Sequence, residues 1–600
     1  MKKLLSYQIV DYLERRDVKY IFGLCGHTVI AMLDALSTSE KIKYISVRHE
    51  QIAATAADGY ARVTKKAAVV MTHLGPGLTN AVTGVANAAL DSIPLVVIAG
   101  DVPSYYYGKH PHQEVNMHCD GSQYDIYKPF VKRAWRLDTP ELMPEILDKA
   151  FRLAESGRPG PVLISVPMDM FSKEVDVSCF ERTYKDSRFT VKPALPKETA
   201  KVIADMLIKS ENPLIHIGGQ IAYHNASEEL TQLVDFLDIP VTRTLMGQGG
   251  VSDTHPLMVG MTGFWGTSFV NEKSSGADVI LAVGTRLSEA DSSSWYDGVT
   301  FSSKTKFIQI DMDAAEIGRN YPVEIGAVAD PKQALKAILE AAKEITPDGI
   351  DRPELRAEIS KYKSEFKESN SEISFDGRFP MTPQRILRDI REVFPDDGII
   401  FTDVGWNKNG VGQQFDISKP DTIYHPGGLA TMGFGSAAIL GAKLAAPDKK
   451  VITLIGDGGF GTNPSVLATA VEQNIPVIWV VMNNYAFGTI SGLEGGAYNH
   501  CFGTVFYAPD GSKYNPEWSE VAKAYGVKAK KITSADEFKE AFIEAVESNE
   551  PYLLDVPMEN IPVPTDGLWN INDIYNPKEN VVEGRLKFGD AVKSFHKSLI

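Results

Sequence analysis

Val451-Ile452-Thr453-Leu454-Ile455-Gly456-Asp457-Gly458-Gly459 is an apolar run that stops on an aspartate held between glycines. Pro476-Val477-Ile478-Trp479-Val480-Val481-Met482 is a second apolar run, and it stops on Asn483-Asn484. Both runs have strand length, are continuous rather than alternating, and predict neighbouring strands buried on both faces of a parallel sheet. Asp457 and Asn484 then leave the sheet at its carboxyl edge, where open parallel sheets take ligands. Gly458 and Gly459 let the backbone approach a phosphate, and the start of the following helix favours an anion. The Asp457 carboxylate, the Asn484 amide oxygen and a nearby backbone carbonyl make three hard oxygen ligands. Diphosphate oxygens and a water would complete a magnesium octahedron. A lone Gly-Asp-Gly is an ordinary tight turn; the asparagine pair at this spacing, between two buried strands, is what points to a cofactor.

The same alternation extends outward from this stretch. Strand-like runs at 67–71, 94–99, 162–166, 214–217, 279–283, 306–310 and 399–402 alternate with helical stretches, which predicts an α/β protein of three doubly wound parallel-sheet domains. At about 150 residues per domain, 600 residues suit three or four domains. Mixed-charge stretches at 172–197 and 345–381, the latter with a helix over Glu354–Glu372, read as linkers. They divide the chain into 1–180, 190–345 and 375–560. A tail, 561–600, is expected to drape over the body and close with an amphipathic helix near Leu586–Leu599.

Composition narrows the function classes. A net charge of −16 argues against nucleic-acid or membrane-surface binding. The four cysteines form no CxxC pair, so neither a cysteine zinc site nor a disulfide framework is expected, and reduced thiols suit a cytoplasmic protein. Met1–Val10 reads as the start of an amphipathic helix, not a signal peptide, and no apolar run reaches membrane-spanning length. No GxGxxG opens a βαβ unit as a flavin or nicotinamide oxidoreductase would require.

Other stretches carry the chemistry. Glu50, in Arg48-His49-Glu50-Gln51, follows a strand (43–47) and opens a helix containing Ala57-Asp58-Gly59-Tyr60-Ala61-Arg62. Asp403-Val404-Gly405, Gly427-Gly428-Leu429-Ala430-Thr431-Met432-Gly433, His73-Leu74-Gly75-Pro76-Gly77 and Gln113-Glu114 are further compact motifs. With these the chain resembles thiamine-diphosphate enzymes of the acetolactate synthase and pyruvate oxidase type over roughly its first 560 residues.

That resemblance implies a pyrimidine-binding domain, a central domain and a diphosphate-binding domain, in this order. It implies thiamine diphosphate held through Mg2+, with Asp457, Asn484 and the Ala486 carbonyl as metal ligands. Val404, Gly405, Trp406, Asn407, Gly456, Gly458, Gly459 and Ala486 would line the coenzyme, although Trp406-Asn407 depart from the Gln-His of acetolactate synthases. Met432 would wedge the coenzyme's two rings together, and the Ala430 carbonyl would accept from its 4′ amino group. Glu50 would share a proton with the pyrimidine ring, favouring the tautomer whose 4′ nitrogen takes the proton from C2; a dry pocket raises a carboxyl's pKa, which suits that sharing. Gln113, His27 and His73 would face the substrate. His110, His112 and His118 near Gln113 read as a loop or phosphate-facing group ahead of a metal site. Glu50 and the metal ligands would meet across a subunit interface, giving a homodimer or homotetramer.

The implied activity is making or breaking a carbon–carbon bond next to a carbonyl, as an acetolactate-synthase-like carboligase or 2-oxoacid decarboxylase. A 2-hydroxyacyl-CoA lyase is the alternative, with a small-molecule 2-oxoacid or 2-hydroxyacyl-CoA as substrate, and a catalytically silent regulatory relative is the distant one. Acetolactate synthases recognise the second 2-oxoacid with an arginine and a tryptophan; Ala290 and Leu493 stand at those places, so a different acceptor is expected. Gly218-Gly219, Gly260–Gly266, Gly284–Arg286 and Asp311–Asp313 resemble segments that hold FAD in acetolactate synthases; relatives hold ADP or CoA there, or nothing.

Overall fold

The computed structural model describes all residues except 116–121, 182–191, 576–580, 583–584 and 587–600. His118, Cys119 and most of the expected closing helix lie outside the described residues. Three six-stranded sheets carry the fold, and every pairing within them is parallel. The first contains Tyr20–Gly23, Lys43–Ser46, Ala68–Thr72, Leu95–Asp101, Arg133–Arg136 and Val162–Pro167. Numbered along the chain, its strands lie side by side as 2-1-3-4-6-5. The third sheet contains Ile399–Thr402, Ile423–Tyr424, Val451–Gly456, Ile478–Asn483, Lys528–Lys531 and Tyr552–Pro557, and has the same order. The central sheet runs from Pro213–Ile217 to Val323–Val328 in the order 3-2-1-4-5-6. In each, the winding reverses beside the first strand, and the crevice at such a reversal is the natural ligand edge.

The strands follow their composition. Val451–Gly456 and Ile478–Asn483 are rich in β-branched residues and buried along almost their whole length. The second strand begins two residues later than its apolar run, because Pro476 cannot donate to the ladder. The amino terminus differs from expectation. Lys2–Leu4 is a strand paired antiparallel with Glu174–Asp176, and the helix begins only at Leu5. Residues 174–181 are therefore strand and helix packed on the first sheet, not linker. The charged helix after the central sheet is two, Pro353–Ser369 and Ser371–Phe375.

First and third domains share one core. Helix Glu50–Thr64 packs antiparallel against helix Phe434–Ala445, through alanines and two glycines. A Cβ on Gly59 would come within 2.0 Å of the Ala438 carbonyl oxygen, and one on Gly441 within 1.7 Å of that of Ala56. Only glycine permits backbones that close. No helix among the described residues is long and apolar enough to cross a membrane.

Candidate active site

The two strand ends deliver Asp457 and Asn484 to one place. The Asn484 amide oxygen lies 2.9 Å from both Asp457 Oδ1 and the Ala486 carbonyl oxygen, with no donor between them. Its nitrogen donates to Asn560 Oδ1 at 3.0 Å. Turning the amide over would give those two oxygens a donor, but would set the amide oxygen against Asn560 Oδ1. Three converging oxygen acceptors are unfavourable alone and are the donor set of a hard cation, so the residues fit Mg2+. The Asn515 amide donates to Asp457 Oδ2 at 2.5 Å and to Asn483 Oδ1 at 2.8 Å, fixing both from behind. Burial pushes the Asp457 carboxyl up to about 6. Tyr485, between the two asparagine-turn ligands, has φ +60°, the left-handed conformation that lets Asn484 and the Ala486 carbonyl face the same way.

Behind them Asp403 is fully buried and accepts from the backbone N–H groups of Val404 (2.8 Å), Gly433 (3.2 Å) and Gly435 (2.9 Å). It ties the Val404–Gly405 turn to the start of helix Phe434–Ala445. Burial raises its carboxyl to about 6. Above the ligands is a cavity of about 390 Å³, lined by Val404, Gly405, Trp406, Asn407, Met432, Gly456, Gly458, Gly459, Asn484 and Ala486, and beyond them by Phe264, Trp265, Leu493 and tail residues up to Trp569.

The first domain assembles a second cluster at its own switch point. Thr28 Oγ1 meets His73 Nδ1 at 2.8 Å, and His73 Nε2 meets Gln113 Oε1 at 2.9 Å. The His27 ring stands edge-on to His73 at 4.6 Å. Burial, with His73 and His112 beside it, holds His27 below the usual imidazole range. Glu50 is buried, accepts from Asn80 Nδ2 at 3.0 Å, and lies at the turn that carries Gly77. Gln113 has φ +65°, a strained conformation held by close packing against Gly75.

Within one chain the clusters are apart. The antiparallel helix pair puts Glu50 beside the carboxyl end of Phe434–Ala445, while Met432 precedes its amino end; 12 residues of helix span about 18 Å. Among the described residues, none of the first domain lines the cavity above Asp457.

Comparison with known proteins gives this arrangement a context. Family models match residues 5–122 (thiamine pyrophosphate enzyme, N-terminal TPP binding domain), 200–338 (central domain) and 403–556 (C-terminal TPP binding domain). The chain is 38% identical over 580 residues to a probable acetolactate synthase large subunit of Methanocaldococcus jannaschii, covering 94% of each. It is 32% identical to the chloroplastic acetolactate synthase of Arabidopsis thaliana over 91% of this chain and 80% of that one. The chain belongs to the thiamine pyrophosphate enzyme family. It is a thiamine-diphosphate-dependent enzyme of the acetolactate-synthase-like type, and these relatives favour that branch over the 2-hydroxyacyl-CoA lyases.

Other expected residues of this thiamine pyrophosphate enzyme lie outside the lining of the cavity above Asp457. Ala430, two residues before Met432, sits in a turn with φ +53°. His112 joins the first-domain cluster, its ring centroid 6.1 Å from that of His27. In the central domain, Gly218, Gly219, Gly284 and Arg286 line one cleft. Gln220 bridges the cleft, donating to Asp311 Oδ1 at 2.8 Å and accepting from Met312 N. Sequence reasoning missed Asn515, Asn560 and Asn80, single amides without a motif, and the aromatic wall of Phe264, Trp265 and Trp569.

Proposed function

We propose that the protein is a Mg2+-dependent carboligase that decarboxylates a 2-oxoacid and joins its acyl unit to a second carbonyl compound, as a homodimer or homotetramer whose sites each take Glu50 from a second copy. The observation that carries the reading is the convergence of the Asp457 carboxylate, the Asn484 side-chain amide and the Ala486 carbonyl at the carboxyl edge of the third sheet. The opposed ends occupied by Glu50 and Met432 support the shared site.

When bound, thiamine diphosphate supplies the carbon nucleophile and the electron sink that decarboxylation needs. The chain's own residues do the rest. Asp457, Asn484 and the Ala486 carbonyl would hold the metal. Gly456, Gly458, Gly459 and the Val404–Gly405 turn bring backbone close enough to meet a diphosphate. Met432, half-exposed in the cavity, would support the coenzyme's rings. Glu50, buried and positioned by Asn80, would face the pyrimidine ring from the second copy. His73, oriented by Thr28, hydrogen-bonds Gln113 and sets its amide towards the substrate.

The test is release of labelled carbon dioxide from pyruvate and other 2-oxoacids with thiamine diphosphate and Mg2+. Release that disappears when either is omitted is expected. Equal release without them would overturn the proposal.

A further inference from the structure

The cavity above the metal ligands has no charged lining side chain among the described residues. A site built to hold the carboxylate of an accepting 2-oxoacid would want an arginine or lysine there. Lys408 stands over the indole of Trp265, with Nζ 5.9 Å from the ring centroid, and is buried. The Ala290 carbonyl accepts from Phe264 N at 3.1 Å, so Ala290 underlies the wall and offers it only a methyl. On helix Gly488–Tyr498, Ile490 and Leu493 face the same cavity one turn apart.

The opposite wall is aromatic and fixed by the tail. Trp569 stacks on Phe264 with centroids 4.8 Å apart and planes 4° apart, and Phe264 meets Trp265 at 4.1 Å. The tail is fastened in place: Asp566 Oδ2 accepts from Ser268 N at 2.9 Å, and Gln413 donates to both the Trp265 and Pro564 carbonyls. A wall of three aromatic rings without charge binds area, not ions.

We propose that the acceptor is an uncharged aldehyde with a bulky aromatic or branched side chain, selected by Trp265, Trp569 and Leu493. This rests on the carboligase reading above. The reaction balances as a 2-oxoacid plus an aldehyde giving a 2-hydroxyketone plus carbon dioxide: the carbon–carboxylate bond breaks, the acyl carbon bonds to the aldehyde carbon, and the aldehyde oxygen gains the proton.

The holoenzyme is given pyruvate alone, pyruvate with benzaldehyde, and pyruvate with acetaldehyde, and products are read by mass spectrometry beside calorimetry of coenzyme uptake. Expected is benzaldehyde adduct at least tenfold over acetolactate. Leu493→Trp should shift preference at least tenfold from benzaldehyde towards acetaldehyde while coenzyme uptake shows the fold intact. Independently of turnover, saturation-transfer NMR should show benzyl alcohol, but not benzoate, contacting the protein, with the signal weakened in Trp265→Ala. If coenzyme binds and pyruvate is consumed yet acetolactate equals or exceeds the benzaldehyde adduct, or if benzoate binds as well as benzyl alcohol, the inference is overturned. Absence of coenzyme uptake or of pyruvate consumption would instead overturn the carboligase reading and this inference with it.

Discussion

Arg48 pairs with Glu472 at 2.8 Å, joining the residue two before Glu50 to the last turn of helix Val466–Gln473. That turn lies at the amino edge of the third sheet, and Asp457 lies at its carboxyl edge, the length of a six-residue strand away, about 20 Å. A chain tied in this way cannot bring its own Glu50 to its own Asp457. Glu50→Gln and Asp457→Ala should therefore each abolish turnover, while an equal mixture refolded together should recover about a quarter of wild-type activity, since half the dimers are mixed and each of those has one intact site. Recovery of none would place both groups in one chain's site.

Asp457→Ala should remove Mg2+-dependent coenzyme uptake, read by calorimetry. Asn515→Leu removes no metal ligand but takes away the amide that donates to Asp457 Oδ2 from behind. It should weaken Mg2+ affinity about 10- to 100-fold, as loss of a partner that orients a metal ligand does. Unchanged affinity in this variant would mean that the amide merely fills space.

Gly441→Val places methyl groups where the Ala56 carbonyl sits. Overpacking at a backbone contact should cost about 1–3 kcal/mol or more, seen as a lowered thermal midpoint. A midpoint equal to wild type would show that the helices can separate without cost.

His216 is fully buried in the central sheet, and burial holds its imidazole down to about 3 against an ordinary 6.5. Between those values the unfolded chain takes up a proton that the folded chain refuses. The contribution of His216 is thus intact above about 6.5 and is lost as the pH falls below it. His216→Gln lacks this titration, so its stability deficit should narrow by about 2 kcal/mol from about pH 7.5 to about pH 5. Urea unfolding of both proteins at the two values checks this, and a constant deficit would count against a neutral buried imidazole.

The sequence showed what is local. Continuous apolar runs ending in Gly456-Asp457 and Asn483-Asn484 foretold the strands, their parallel pairing and the edge where ligands converge, because burial and turn chemistry act over a few residues. Lys2–Leu4 escaped that logic: its strand exists only because Glu174–Asp176 lies beside it, a partner more than 160 residues away. Asn515 and Asn560 were illegible for a related reason, since an amide in a loop gains meaning only from the neighbour that folding brings to it. The uncharged aromatic wall needed coordinates too, because Trp569 reaches Phe264 from the far end of the chain.

The first and third sheets wind in one order, so their turns correspond pairwise. His73 and Asp457 follow the third strand of their sheets, and Glu50 and the Gly427–Met432 stretch follow the second. Two sheets of one winding carry different groups at matching turns, an imidazole at one and an acid at the other. Transplanting the turn 73–77 onto the third sheet would spare the strands of both and erase the metal's seat, making the repeated winding a ready host for rewritten chemistry.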